Sequence, residues 1–391
     1  MSQGQTQRPA RLYRERNLQI LFGITLMVVL GVSTVAPALP RMGEELALPA
    51  QSLGWLITFF TLPGALLGPL FGVLADRLGR KRVLIPALLV FALSGGACGL
   101  TGDFRLMLGL RFLQGLGAAA MGMLGLTIIG DLYQGRDRAE AMGYAAGVLN
   151  LGLAVYPALG GALATLSWRY PFLLPFLGLP LALAARRLDN PEPRATQSFG
   201  EYLKATLAIV GRGHVLALMA TGVGAFVIIY GAIVVYLPFF LDRSLAAGPL
   251  TIGLILSFSS LISALVASQL GRLIEAMSQK RLLGISFCLY AAASLMVPLV
   301  SSLWAALVPA AIFGLAQGAS LPVIQNLLTG LAPAQNRAAV VSLFGMALRG
   351  GQTVGPLLMG LVFGWWGLSQ VFLAAAAVSL LVLGLVAAST R

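Results

Sequence analysis

Long apolar runs alternate with short polar turns along the whole chain, and that spacing predicts a series of membrane-spanning helices. Twelve runs can be drawn, at about 18–39, 51–74, 83–101, 105–130, 139–165, 169–187, 214–240, 249–270, 282–302, 303–330, 338–363 and 368–389. A spanning helix needs roughly 20 apolar residues to cross about 30 Å of hydrocarbon, and each run is close to that length. Polar turns between them must lie outside the hydrocarbon, where water satisfies their backbone groups.

Composition agrees with this reading. The chain is 58% hydrophobic and 10% charged, against about 25% charged in a typical soluble domain. The net charge of +13 could point to nucleic acid, but its distribution excludes that partner. Of the 26 Lys and Arg residues, 20 fall in the termini and the even-numbered loops, four in the odd-numbered loops and two inside helices. The positive-inside rule then predicts cytoplasmic termini and a cytoplasmic central loop. Arg8, Arg11, Arg14 and Arg16 precede the first run, which is too long for a signal-peptide core and is read as an uncleaved first helix. Cys98 and Cys288 fall inside helices three and nine, so no disulfide framework is expected.

The chain repeats itself. Gly72-Val73-Leu74-Ala75-Asp76-Arg77-Leu78-Gly79-Arg80-Lys81-Arg82 returns 199 residues later as Gly271-Arg272-Leu273-Ile274-Glu275-Ala276-Met277-Ser278-Gln279-Lys280-Arg281. At the same offset Arg138-Ala139 returns as Arg337-Ala338, Gly152 as Gly351, Pro157 as Pro356 and Gly161 as Gly360. This predicts an N-terminal tail (1–17), a six-helix half (18–187), a linker (188–212) and a second half (213–391). Asn190-Pro191-Glu192-Pro193 gives the linker its turn character. Phe199, Tyr202, Leu203, Leu207 and Val210 recur there at roughly helical spacing, as in a surface amphipathic helix or a fluctuating linker.

The turn at 72–82 closely resembles the signature loop between the second and third helices of the major facilitator superfamily, and the likeness extends over essentially the whole chain. It implies an all-α membrane protein with two pseudo-symmetric six-helix halves. In that family the loop latches the cytoplasmic side, chiefly while the transporter is open to the outside. Asp76 would be the latch carboxylate, with Arg77, Arg80 and Arg82 its cationic partners. Gly72, Gly79, Asp131 and Arg138 complete the implied gating set. The second copy replaces Arg, Gly and Arg by Ala276, Ser278 and Gln279, so a smaller contribution is expected from Glu275. Arg111-Phe112-Leu113-Gln114-Gly115 resembles a family motif on helix four, whose arginine is associated with proton transfer or substrate contact. The other reading of Arg111 is a side chain snorkelling to the outer surface. Gly152-Leu153-Ala154-Val155-Tyr156-Pro157-Ala158-Leu159-Gly160-Gly161 resembles the helix-five motif of the drug:proton antiporter branch, with Tyr156 in place of its glycine.

Polar residues inside the spans mark a candidate cavity. Arg349 lies about 11 residues, or roughly 16 Å, into helix eleven. A central arginine costs roughly 2.5–3.5 kcal/mol on insertion scales, so it faces a cavity or a partner. Its repeat counterpart is Asn150. With Arg111, Gln114, Tyr156, Tyr230, Tyr236, Gln317, Asn326 and Gln352, these form the candidate substrate and coupling set, although interhelical hydrogen bonding explains a buried amide equally well. None of the 13 carboxylates is mid-span. That favours neutral or anionic substrates over cations and leaves Asp131, at the end of helix four, as the candidate proton carrier; an ion pair is its other role. No phosphate-binding G-x-x-x-x-G-K-[ST] loop exists, and His214 has no metal-ligand cluster around it. The chain is expected to be no enzyme and to use no cofactor or metal, transport being driven by an ion gradient of protons. A monomer in the cytoplasmic membrane is expected, with lipid and a small-molecule substrate as partners. The expected activity is proton-coupled export of amphipathic or drug-like molecules. Export of an anionic or siderophore-like metabolite, and a non-transporting sensor on the same fold, are the alternatives.

Overall fold

The computed structural model describes residues 12–189, 213–331 and 337–388. Each of the twelve predicted runs is helical: α1 (Arg16–Ser33), α2 (Ala50–Leu78), α3 (Arg80–Cys98), α4 (Phe104–Leu132), α5 (Gly135–Leu166), α6 (Tyr170–Ala185), α7 (Gly213–Leu245), α8 (Pro249–Ser268), α9 (Gln279–Met296), α10 (Leu303–Leu331), α11 (Arg337–Trp366) and α12 (Leu368–Ala388). No strand occurs among the described residues. Among the described residues, ten helices are long and apolar enough to cross a membrane. The amphipathic stretch expected in the linker lies outside the described residues.

Local sequence explains where helices begin and end. Asp103 caps α4, its carboxylate accepting from the backbone N–H of Arg105 at 2.8 Å, as an N-cap aspartate should. Ser278 caps α9 in the same way, accepting from Arg281 N–H at 3.3 Å. Pro249 opens α8 after Gly248, where its missing N–H costs nothing. The first predicted run is broken. After Ser33 a 3₁₀ turn at Ala36–Ala38 carries Pro37, and a short helix, Leu39–Glu45, follows. Within α7, Val227–Tyr236 is π-helical between two α-helical ends.

Helices α1–α6 and α7–α12 form two groups, joined along α5 with α8 and along α2 with α11. The loops bearing most bases define one end of the bundle, here the basic end. At the opposite end the groups touch backbone to backbone. A Cβ on Gly161 of α5 would lie 2.4 Å from the carbonyl oxygen of Pro249, and one on Gly253 of α8 would lie 2.3 Å from that of Pro157. Only hydrogen at these positions permits such an approach, the small-residue packing common between membrane helices.

Side-chain hydroxyls secure both seams of this seal. Thr58 of α2 donates to the carbonyl of Thr353 in α11 at 3.0 Å, and Thr61 shares a hydroxyl contact with Thr353 at 2.8 Å. On the other seam Ser257 of α8 accepts from the backbone N–H of Ala158 in α5 at 3.0 Å. Thr58 and Ser257 stand 199 residues apart, the offset of the internal repeat, so the repeat puts a cross-seam hydroxyl at matching positions, donating on one seam and accepting on the other. A buried hydrogen bond is worth roughly 1 kcal/mol. Thr58→Val should therefore shift the balance between conformers about fivefold toward opening at this end, read as distances between spin labels placed there on the two groups. An unchanged distance distribution would remove Thr58 from the seal.

Candidate functional site

A cavity of about 440 Å³ lies between the two groups, lined by α1, α2, α5, α7, α8, α10 and α11. It runs from Ser33, Ala36 and Pro157, just inside the seal, to Ala267 and Gly345 toward the basic end. A Cβ on Gly345 would meet nothing within 4 Å. This volume is within the range of pockets that hold small organic ligands. The walls are mainly apolar, with Phe60, Phe226 and Phe313 supplying aromatic surface.

Five of the predicted cavity residues come together in these walls: Asn150, Tyr230, Gln317, Arg349 and Gln352. Tyr230 sits in the π-helical part of α7 and stacks on Phe226, the ring centroids 5.5 Å apart. Arg349 reaches from α11 across the seam to the other group. A Cβ on Gly64 of α2 would lie 2.5 Å from its Cδ, and one on Gly122 of α4 would lie 3.1 Å from its Nη2. These two glycines make the trough in which the guanidinium rests. Arg349 makes no ion pair among the described residues. Serines 259, 260 and 263 of α8 and Thr61 of α2 add hydroxyls to the walls. Sequence reasoning missed these hydroxyls, and the repeat offset between Thr58 and Ser257 was the signal that could have found the neighbouring seal.

The other predicted cavity residues lie elsewhere. Arg111 is 1% exposed inside the first group and does not snorkel. It donates to the Gly31 carbonyl and to Gln114 Oε1, both at 2.8 Å, and stacks between Phe60 and Phe172 at 5.5 and 4.7 Å. Phe60 touches both Arg111 and the cavity. Gln114 is equally buried. Tyr236 packs in the seal against Gly54 and Gly360, and Tyr156 rests over Gly152 of its own helix. Asn326 is exposed on α10, outside the cavity walls.

At the basic end, Arg80 sits between two carboxylates. It pairs with Asp76 at 2.5 Å and donates from Nε to Asp131 at 3.1 Å. These charges oppose the helix dipoles, since Asp76 and Asp131 are near the C-termini of α2 and α4 while Arg80 opens α3. Each would be unfavourable alone, and their pairing offsets this. Arg77 and Arg82 are exposed and make no ion pair among the described residues, so the structure gives Asp76 one of its three expected partners. Gly79 turns the chain at φ +95°, with open space where a Cβ would stand. Its backbone conformation, and not crowding, demands glycine. Gly72 by contrast is crowded, because a Cβ there would lie 2.6 Å from Met123 Cε. Arg138, exposed on α5, lies against Gly130, next to Asp131. In the second copy Glu275 is exposed and in no ion pair among the described residues, and Ser278 is extended where Gly79 is left-handed. Nearby, Tyr133 donates to Glu15 at 2.8 Å. Burial first, and then that bond, push its phenol well above its usual pKa.

The family profile described as Major Facilitator Superfamily matches residues 21–247 and 233–390. Over 189 residues the chain is 29% identical to the quinolone resistance protein NorA of Staphylococcus aureus, covering 47% of this chain and 48% of that protein. Over 164 residues it is 30% identical to the bacillibactin exporter of Bacillus subtilis strain 168, covering 40% of this chain and 41% of that one. The matched region thus spans about half the length of these curated relatives, or less. The crystal structure of a bacterial homolog of the human lysosomal transporter Spinster, inward-facing and unoccupied, superposes with a TM-score of 0.83 over 98% of both chains at 17% identity. A likeness at that identity speaks for the fold.

Proposed function

The chain belongs to the Major Facilitator Superfamily, and from that membership we propose that it is a secondary active exporter of small amphipathic molecules, working by alternating access in the cytoplasmic membrane. The proton-motive force energises it, and it carries no cofactor. The observation that supports this most is the cavity between the halves. It is apolar enough for an organic body, has convergent amides and hydroxyls, and places one arginine at mid-depth. With the basic loops on the cytoplasmic side, the sealed end faces outward and the cavity is reached from the cytoplasm. Its relatives include a quinolone resistance protein and a bacillibactin exporter, in line with amphipathic cargo.

Arg349, with no carboxylate among the described residues of the walls, favours a substrate carrying an anionic or strongly polar acceptor. The guanidinium fork can grip a carboxylate or sulfonate through two parallel hydrogen bonds. Efflux from cells loaded with an anionic dye or with ethidium, with and without an uncoupler, tests the proposal. The chain should accelerate efflux of the anionic dye, and the uncoupler should abolish the acceleration. Dye retention identical to that of cells lacking the protein would contradict it.

A further inference from the structure

Among the described residues, the cavity walls carry one permanent positive charge and no group that takes up or releases a proton near neutral pH. From α7 the titratable group facing Arg349 is Tyr230. The other elements close to it offer Gly64 and Gly122. A guanidinium is not deprotonated in proteins, and a phenol ordinarily titrates near pH 10. Among the described residues no carboxylate lies mid-span, and none is among the cavity walls. Asp131, the expected proton carrier, is engaged with Arg80 at the basic end.

Resting on the export reading above, we infer that the substrate is an amphipathic monoanion and that its own charge couples export to the membrane potential, with no proton exchanged. Arg349 travels with the protein and returns with it, so it adds no net charge over a full cycle. Each turnover therefore carries one negative charge outward. An interior-negative potential does work on that charge, whereas a cation would be held back by the potential and repelled by Arg349. The cavity is neutral when loaded, so the central arginine is matched at the step that moves the substrate across the hydrocarbon. Chemical proton antiport needs a group that binds a proton on one side and frees it on the other, and these walls supply none.

The test uses the purified full chain in proteoliposomes with naphthalene-2-sulfonate, whose charge is fixed at about neutral pH. A potassium gradient with valinomycin sets a potential of about 100 mV, positive inside, worth about 2.3 kcal/mol per charge, or roughly a 50-fold gradient. The sulfonate should accumulate toward that ratio. A pH gradient of about one unit at zero potential, worth roughly tenfold if one proton were exchanged, should produce none. Accumulation that follows the pH gradient and ignores the potential would overturn the inference while leaving export of an anion intact. Wild-type protein that moves the trimethylammonium analogue but neither binds nor moves the sulfonate would overturn the anion reading itself. Both comparisons are made on the wild-type chain, so neither depends on a variant that folds.

Discussion

Arg349→Ala is expected to lower affinity for an anionic amphipath about 100-fold, the loss of a charge-assisted, two-pronged hydrogen bond in a dry site. Arg349→Lys keeps the charge but not the planar fork, and should lose about tenfold. The guanidinium rests against Gly64 and Gly122 and makes no ion pair among the described residues. Removing it breaks no salt bridge there and removes a cation that is costly at this depth. The melting temperature of Arg349→Ala should therefore stay level or rise. A purely structural Arg349 predicts the reverse, with lower stability and unchanged affinity in whatever protein folds. Melting temperature and probe affinity on the same purified samples separate the two.

Asp76→Asn is expected to reduce flux about tenfold while insertion and expression stay normal. An amide can accept a hydrogen bond from Arg80 but cannot neutralise it, and charged hydrogen bonds are worth roughly 1.5–3 kcal/mol. Arg80 keeps Asp131, so the first half should stay folded. The loss should appear in closing the basic end, for which both members of the acidic pair are held in place. Glu275→Gln should do much less, because Glu275 is exposed and the second copy lacks the left-handed glycine. Flux through reconstituted variants, normalised to inserted protein, checks this. Wild-type flux in Asp76→Asn would remove the latch role.

The spans were legible because hydrocarbon imposes length and apolarity, and both are written residue by residue. Part of the cavity was legible too: Arg349, expected at mid-depth, and Gln352, Asn150, Tyr230 and Gln317, candidates to share its cavity, all line it. Azimuth was not. In a membrane both the lipid face and the packed face of a helix are apolar, so the periodicity that orients a helix in water is faint. Arg111 and Arg349 therefore looked alike in sequence. One donates from Nη1 to Gln114 a turn away and to a carbonyl of α1, its ring neighbours covering the rest of the guanidinium, and the other projects into the cavity. Tyr236 and Asn326 were misplaced for the same reason. The hydroxyls of Thr58 and Ser257 stayed hidden because a helical serine or threonine ordinarily bonds its own helix at i−4, and their cross-group partners are set by packing. The break after Ser33 was readable from Pro37, whereas Val227–Tyr236 holds no proline, and its one glycine, Gly231, a residue common in membrane helices, does not announce the π-helical segment that carries Tyr230.

Charge selectivity at the cavity tests the central claim most directly. Affinities of naphthalene-2-sulfonate and its trimethylammonium analogue should be measured on purified wild type and Arg349→Ala, one scaffold with opposite charges. The wild type should prefer the anion by about 100-fold, and the substitution should erase that preference, chiefly by weakening the anion and in lesser part by relieving the repulsion of the cation. Equal affinities in the wild type, or a preference for the anion that survives the loss of Arg349, would contradict an anion site built on this arginine.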